Sequence, residues 1–130
     1  MPNPRYFIKK ATPELVKKLA IAKKVYLENL TPFCEKYCIN SEPFRDITGV
    51  FLIGSHAEEN EWDNETSDLD IKLINPSAVP DYLRVYKQQV LDPQLHLGKK
   101  PNWIDLFFAR ELYQVLNPRW DITQEWNANK

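Results

Sequence analysis

Three short runs of β-forming residues constrain this chain more than any other feature. Residues 47–53 are almost continuously apolar and stop at Gly54-Ser55. Such a run reads as a central strand buried on both faces. Residues 68–74, Asp-Leu-Asp-Ile-Lys-Leu-Ile, alternate polar and apolar and end at Asn75-Pro76. That alternation describes a strand with one polar face. Residues 103–109 put Trp103, Asp105 and Phe107 on one face and Ile104, Leu106 and Phe108 on the other.

Helical signals surround these runs. Thr12-Pro13-Glu14 combines a hydroxyl N-cap, a proline at the first helical position and an acid in the first turn. Leu15, Leu19, Ala22, Tyr26 and Leu30 then form one apolar stripe, with Lys17, Lys18, Lys23 and Lys24 turned to solvent. Helix is predicted over residues 12–39, with a break or kink at Thr31-Pro32. A second helical segment is predicted over 79–97, broken or kinked at Asp92-Pro93. Residues 40–46 read as a loop, and Gly98-Lys99-Lys100-Pro101 as a turn. The tail, 111–130, holds a last helical turn or two near 111–116, and Trp120, Ile122 and Trp126 can dock it on the body. At 130 residues the chain fits a single domain, with its core at about 45–110.

Charge is uneven. Residues 1–40 carry a net +5, residues 41–70 a net −8 and residues 71–130 a net +2, for −1 overall. Bulk charge therefore excludes non-specific nucleic-acid binding, and direct nucleic-acid contact is not indicated. No stretch reaches the ~18 apolar residues of a membrane span. The first residues lack an apolar signal core, so a cytoplasmic protein is expected. Two cysteines, Cys34 and Cys38, make no disulfide framework; four apart on a helix, they read as two buried soft hydrophobes.

The acidic middle third is either a solvated loop or a cation site. Asp68 and Asp70 stand two apart on a strand and point to one side of the sheet. Carboxylates about 6–7 Å apart along a strand repel unless a cation lies between them. Asp105, amid Trp, Ile, Leu and Phe, is a poorly solvated charge that needs a partner. If its strand lies beside that of Asp68 and Asp70, three carboxylates converge, a donor set suited to Mg²⁺ or Mn²⁺. In the bland alternative, Asp68 and Asp70 merely begin a strand and Asp105 pairs with a lysine. Gly54-Ser55 can bring backbone close to a phosphate or simply form a turn. Lys72, on the face of Asp70, can neutralise a phosphate or pair with a carboxylate. His56 follows Ser55 and can contact a nucleotide or lie on the surface. His96, near a helix end, reads as structural, favoured by the C-terminal dipole.

Val50-Phe51-Leu52-Ile53-Gly54-Ser55, a loop, then Ser67-Asp68-Leu69-Asp70-Ile71 resembles the signature of the DNA polymerase beta-like nucleotidyltransferase superfamily. The small size resembles the minimal nucleotidyltransferases of prokaryotes, often paired with HEPN-domain proteins in toxin–antitoxin systems. The resemblance covers about residues 45–110. It implies an α+β nucleotidyltransferase fold, a small mixed β-sheet flanked by helices. It implies that Gly54 and Ser55 hold nucleotide phosphates, that Asp68 and Asp70 bind the metals, and that Asp105 completes the site and assists the nucleophile. Many minimal members carry an Arg-Gly pair shortly after the Gly-Ser; Glu58-Glu59 stands there, in a loop about two residues longer and rich in acids.

The expectation is a Mg²⁺- or Mn²⁺-dependent enzyme that moves a nucleoside monophosphate, AMP from ATP, to a hydroxyl acceptor. The rival is an antitoxin-like module that docks on a HEPN-type partner. There the acidic loop would meet a basic surface, and the tryptophans of the tail would supply anchors.

Overall fold

The computed structural model describes residues 13–57, 68–98 and 103–128. The acidic loop with Glu58-Glu59, the Thr12 cap and the Lys99-Lys100-Pro101 part of the turn lie outside them. The chain is α+β. Helices α1 (Pro13–Glu28) and α2 (Leu30–Lys36) precede strand β1 (Gly49–Ile53), a 3₁₀ turn (Gly54–Ala57) and strand β2 (Leu69–Ile74). A helical segment follows, formed of α3 (Pro80–Tyr86), a π-helical turn (Lys87–Leu91) and α4 (Asp92–Leu95). Strand β3 (Ile104–Ala109), a 3₁₀ turn (Leu112–Gln114) where a last helical turn was expected, strand β4 (Trp120–Asp121) and helix α5 (Thr123–Ala128) complete the order.

The four strands form one mixed sheet in the order β3-β2-β1-β4. Strand β1 runs antiparallel to β2 and β4, and β3 runs parallel to β2. The period-two pattern divides the sheet into two faces. Val50, Leu52, Leu69, Ile71, Leu73, Ile104 and Leu106 are buried in a core shared with Leu15, Leu19, Ala22 and Tyr26 of α1. Burying each such aliphatic side chain contributes roughly 1.5–3 kcal/mol. The opposite face carries a smaller cluster of Phe51, Ile74, Ala109 and Val115.

Where aromatic rings meet, their polar ends are satisfied by backbone. Tyr26 packs edge-on to Tyr86 at 5.5 Å and donates its hydroxyl proton to the Phe44 carbonyl at 2.5 Å. Tyr86 donates to the Tyr26 carbonyl. Burial pushes both phenols above the ordinary tyrosine range, so they stay protonated donors. Asn75, fully buried after β2, donates to the Pro43 and Phe44 carbonyls and accepts from the amides of Ser77 and Ala78.

Several expectations change. The tail adds an edge strand and a helix, so the fold extends past residue 110. Ile122 and Trp126 are buried, Lys23 donates to the Trp126 carbonyl at 3.0 Å instead of facing only solvent, and the Thr123 hydroxyl accepts the Val50 amide at 2.9 Å. Residues 42–45, expected as loop, form a 3₁₀ turn. The break at the end of α1 falls at Asn29, and Thr31-Pro32 lies within the first turn of α2, where a proline loses no helical hydrogen bond.

Cys34 is buried but Cys38 is exposed. Helix α2 ends before Cys38, which adopts a left-handed φ of 57°. Its amide donates to the Glu35 carbonyl and that of Ile39 to the Cys34 carbonyl, the paired bonds of a Schellman stop. A glycine is the usual occupant, because a Cβ strains this conformation by about 1–2 kcal/mol. Cys38→Gly is therefore expected to stabilise the fold by about 1 kcal/mol. In urea unfolding its midpoint should rise, while Cys38→Ala, which keeps the Cβ, should not gain.

Candidate functional site

Strand pairing places the aspartates. Asp70 and Asp105 are register partners across the parallel β2–β3 ladder, and Ile53 is the partner of Asp70 across β1. Directly paired residues share a face, so both carboxylates leave the sheet on the same side, on strands about 4.8 Å apart. The backbone turns immediately after Ile53, and Gly54 has φ +66°. A Cβ on Gly54 would lie 2.6 Å from Oδ2 of Asp70. Only glycine lets this turn lie against the carboxylate. Ser55 and His56 follow in the same 3₁₀ turn, and their side-chain roles fall outside the description. The turn is pinned from the tail, where the Trp120 indole donates to the Ala57 carbonyl at 2.6 Å.

Asp68 precedes the strand. Its Oδ1 accepts the Trp103 amide at 3.3 Å, and the Leu69 amide donates to the Trp103 carbonyl at 2.9 Å. Asp68 thus ties the start of β2 to the start of β3. Lys72 follows Asp70 on its face, 5.9 Å from the ring of Phe107, its own register partner.

The partners of Asp105 come from the helical segment. His96 Nε2 hydrogen-bonds its Oδ1, and the Lys87 ammonium lies 3.9 Å from the same oxygen. Lys87 also reaches Asp92 Oδ1 at 2.8 Å, and His96 Nε2 lies 3.5 Å from that oxygen. The imidazole stacks on the Trp103 indole at 4.3 Å with the rings 4° from parallel. Side-chain exposures of 17% for Asp105, 19% for His96 and 20% for Lys87 make this a half-dry charge cluster. The ammonium and the hydrogen-bonding imidazole both lie against the carboxylates, so Asp105, anticipated as an isolated charge, has partners within the chain. Oδ2 of Asp105 takes no hydrogen bond among the described residues.

The π turn explains how Lys87 joins this group. Residues five apart do not face each other on an α-helix but do where i→i+5 bonding widens the turn. The Asp92 amide donates to the Lys87 carbonyl in that pattern. Pro93 has no amide for the carbonyl of Gln89, and the wider turn absorbs the mismatch that was expected to break the helix. Lys87, Asp92 and His96 then form one column facing β3.

The three aspartates expected to gather are brought together in part. Asp70 and Asp105 stand side by side, and Asp68 lies at the strand entry. Among the described residues, the His, Cys, Asp and Glu ligand atoms that come within 4.8 Å of one another as a group belong to Asp92, His96 and Asp105. Lys87, Asp92 and the His96 contact were missed from sequence. The i, i+4 spacing of Asp92 and His96 was the available signal.

Gly54→Ala is expected to destabilise the fold by about 1–3 kcal/mol, since it adds left-handed strain to a clash with Asp70. Shortening the opposing side chain in Gly54→Ala/Asp70→Ala should recover part of that loss. Equal urea midpoints for wild type and Gly54→Ala would contradict the contact.

No family model matches the chain, and no solved structure matches it. Translation initiation factor IF-2 of Campylobacter hominis is 28% identical over 102 residues. The matched region is 72% of this chain and 11% of that factor, so the chain spans a small part of the relative's length.

Proposed function

We propose that the chain is a metal-dependent nucleotidyltransferase of the DNA polymerase beta-like type, moving AMP from ATP to a hydroxyl acceptor. The observation that carries this reading is the pairing of Asp70 with Asp105 on one face, with the Gly54 turn pressed against Asp70. A glycine turn, an Asp-x-Asp strand and a third strand aspartate beside it are the parts such a reaction needs.

The donor set suits a hard divalent cation, because adjacent carboxylates supply oxygen ligands and negative charge. Asp68, Asp70 and Asp105 would hold Mg²⁺ or Mn²⁺, which when bound neutralises triphosphate charge and acidifies an attacking hydroxyl. The chain's own residues do the rest. The backbone after Gly54, with Ser55 and His56, takes the phosphates of the nucleotide. Asp105, gripped through Oδ1 by His96 and Lys87, presents Oδ2 to the acceptor. The acceptor oxygen forms its bond to the α-phosphorus while the bond from that phosphorus to the β-bridging oxygen breaks. The hydroxyl proton passes to Asp105, and pyrophosphate leaves with the electron pair. The rate gain comes chiefly from positioning and charge placement.

A second reading is an antitoxin-like module that docks on a HEPN-domain partner. Leu112, Tyr113 and Leu116 favour it, being 49%, 74% and 77% exposed on one short stretch. Exposed apolar side chains grouped in this way suit a protein contact.

Purified chain, Mg²⁺, α-labelled ATP and the protein encoded by the adjacent reading frame should yield a labelled adduct. Asp70→Ala and Asp105→Ala should each reduce labelling by about 10²-fold or more. Full labelling by both variants would defeat the catalytic reading. Suppression of the partner's activity that survives loss of all three aspartates would favour the docking reading.

A further inference from the structure

A cleft of about 380 Å³ opens one side-chain step along the strands from the carboxylate pair. Lys72 follows Asp70 by two residues and Phe107 follows Asp105 by two, and they are register partners. The cleft therefore begins about 6–7 Å from the carboxylates on the same face. It is lined by Lys72, Arg84, Lys87 and Arg110 and, among the described residues, by no acidic side chain. Its walls are apolar, with Leu83, Phe107 and Phe108 among them.

Four cations meet around one concavity in a chain whose net charge is −1. Two are compensated, Lys87 by Asp92 at 2.8 Å and Asp105 at 3.9 Å, and Arg84 by Asp81 at 3.4 Å on the exposed rim. The other two are not offset by charge among the described residues. Lys72 has no ion pair among the described residues, and Arg110 donates to the Pro76 carbonyl, which is neutral. The Phe107 ring lies 4.7 Å from the Lys87 ammonium and 5.9 Å from that of Lys72, so its negative face helps hold both over the cleft. Like charges held together in this way favour a bound anion, and the apolar walls favour one carried on a compact organic body.

We propose that this cleft binds a phosphate monoester, and that the acceptor of the transfer is a small phosphorylated molecule. The acceptor role, though not the phosphate site, rests on the nucleotidyltransferase reading. In the sheet order, β3 with its cleft and β1 with its Gly54 turn lie on opposite sides of β2. A donor nucleotide at the turn and an acceptor in the cleft would thus meet over Asp70 and Asp105. The sites differ in one testable respect, because the cleft needs no divalent ion to attract its ligand.

The test is amide NMR of the full chain in EDTA, titrated with AMP and ribose 5-phosphate, then with adenosine and ribose. The phosphorylated probes should shift Lys72, Phe107 and Arg110 and bind at least about tenfold tighter than their counterparts, as charge-assisted contacts require. Lys72→Gln/Arg110→Gln, and to a lesser degree Lys72→Gln alone, should weaken AMP about tenfold or more without lowering the thermal midpoint. Asp70→Asn should not weaken AMP binding, since it removes no cation from the cleft and takes a negative charge away from its edge. Equal binding of AMP and adenosine, shifts confined elsewhere, or undiminished AMP affinity in the double variant would overturn the proposal. Transfer activity without AMP binding here would remove the cleft and keep the transferase. Binding here by a chain with no transfer activity would keep the phosphate site and remove its acceptor role.

Discussion

Pairing of β2 with β3 in parallel, in a register that sets Asp70 opposite Asp105, is the constraint from which the site follows. A shift by one residue would put Asp105 among the buried aliphatic side chains. The register is held from both faces. Leu69, Ile71 and Leu73 align with Ile104, Leu106 and Phe108 on the core side, and Asp68 accepts the Trp103 amide at the strand entry. Core packing thereby determines where two negative charges lie on the opposite face.

Those charges are managed asymmetrically. Asp105 is held on one oxygen by His96 and Lys87, through a column that exists because a π turn accommodates Pro93. Asp70 lies against a glycine turn that Trp120 secures from the chain's last strand. The candidate site thus depends on two elements that carry none of the three aspartates, the helix between β2 and β3 and the C-terminal tail. The cationic cleft shares Lys87 with the first of these, so one lysine contacts both Asp105 and the proposed phosphate site.

Much of the framework was legible because it rests on local periodicity. The alternation in 68–74, the split faces of 103–109 and the stripe from Leu15 to Leu30 correspond to a two-sided sheet and a buried helix face. What escaped depends on non-local or very short features. A two-residue strand such as Trp120–Asp121 has no period to detect. The sequence placed Asp105 on a face, but only ladder register sets it beside Asp70. His96 and Asp92 stood at visible helical spacing, yet their direction toward β3 depends on the widened turn. Cys38 was misplaced because helix α2 ends at Lys36, two residues short of it.

The central proposal is that Asp70 and Asp105 form a carboxylate pair that would hold a divalent ion. Paramagnetic line broadening by substoichiometric Mn²⁺ in the isotope-labelled chain tests it most directly. The account predicts that amide signals of Gly54, Asp70 and Asp105 broaden first, while those of Gly49, Ile74 and Ala109 at the other end of the same strands remain sharp. Uniform broadening along the strands, or selective broadening that leaves Asp70 untouched, would contradict it.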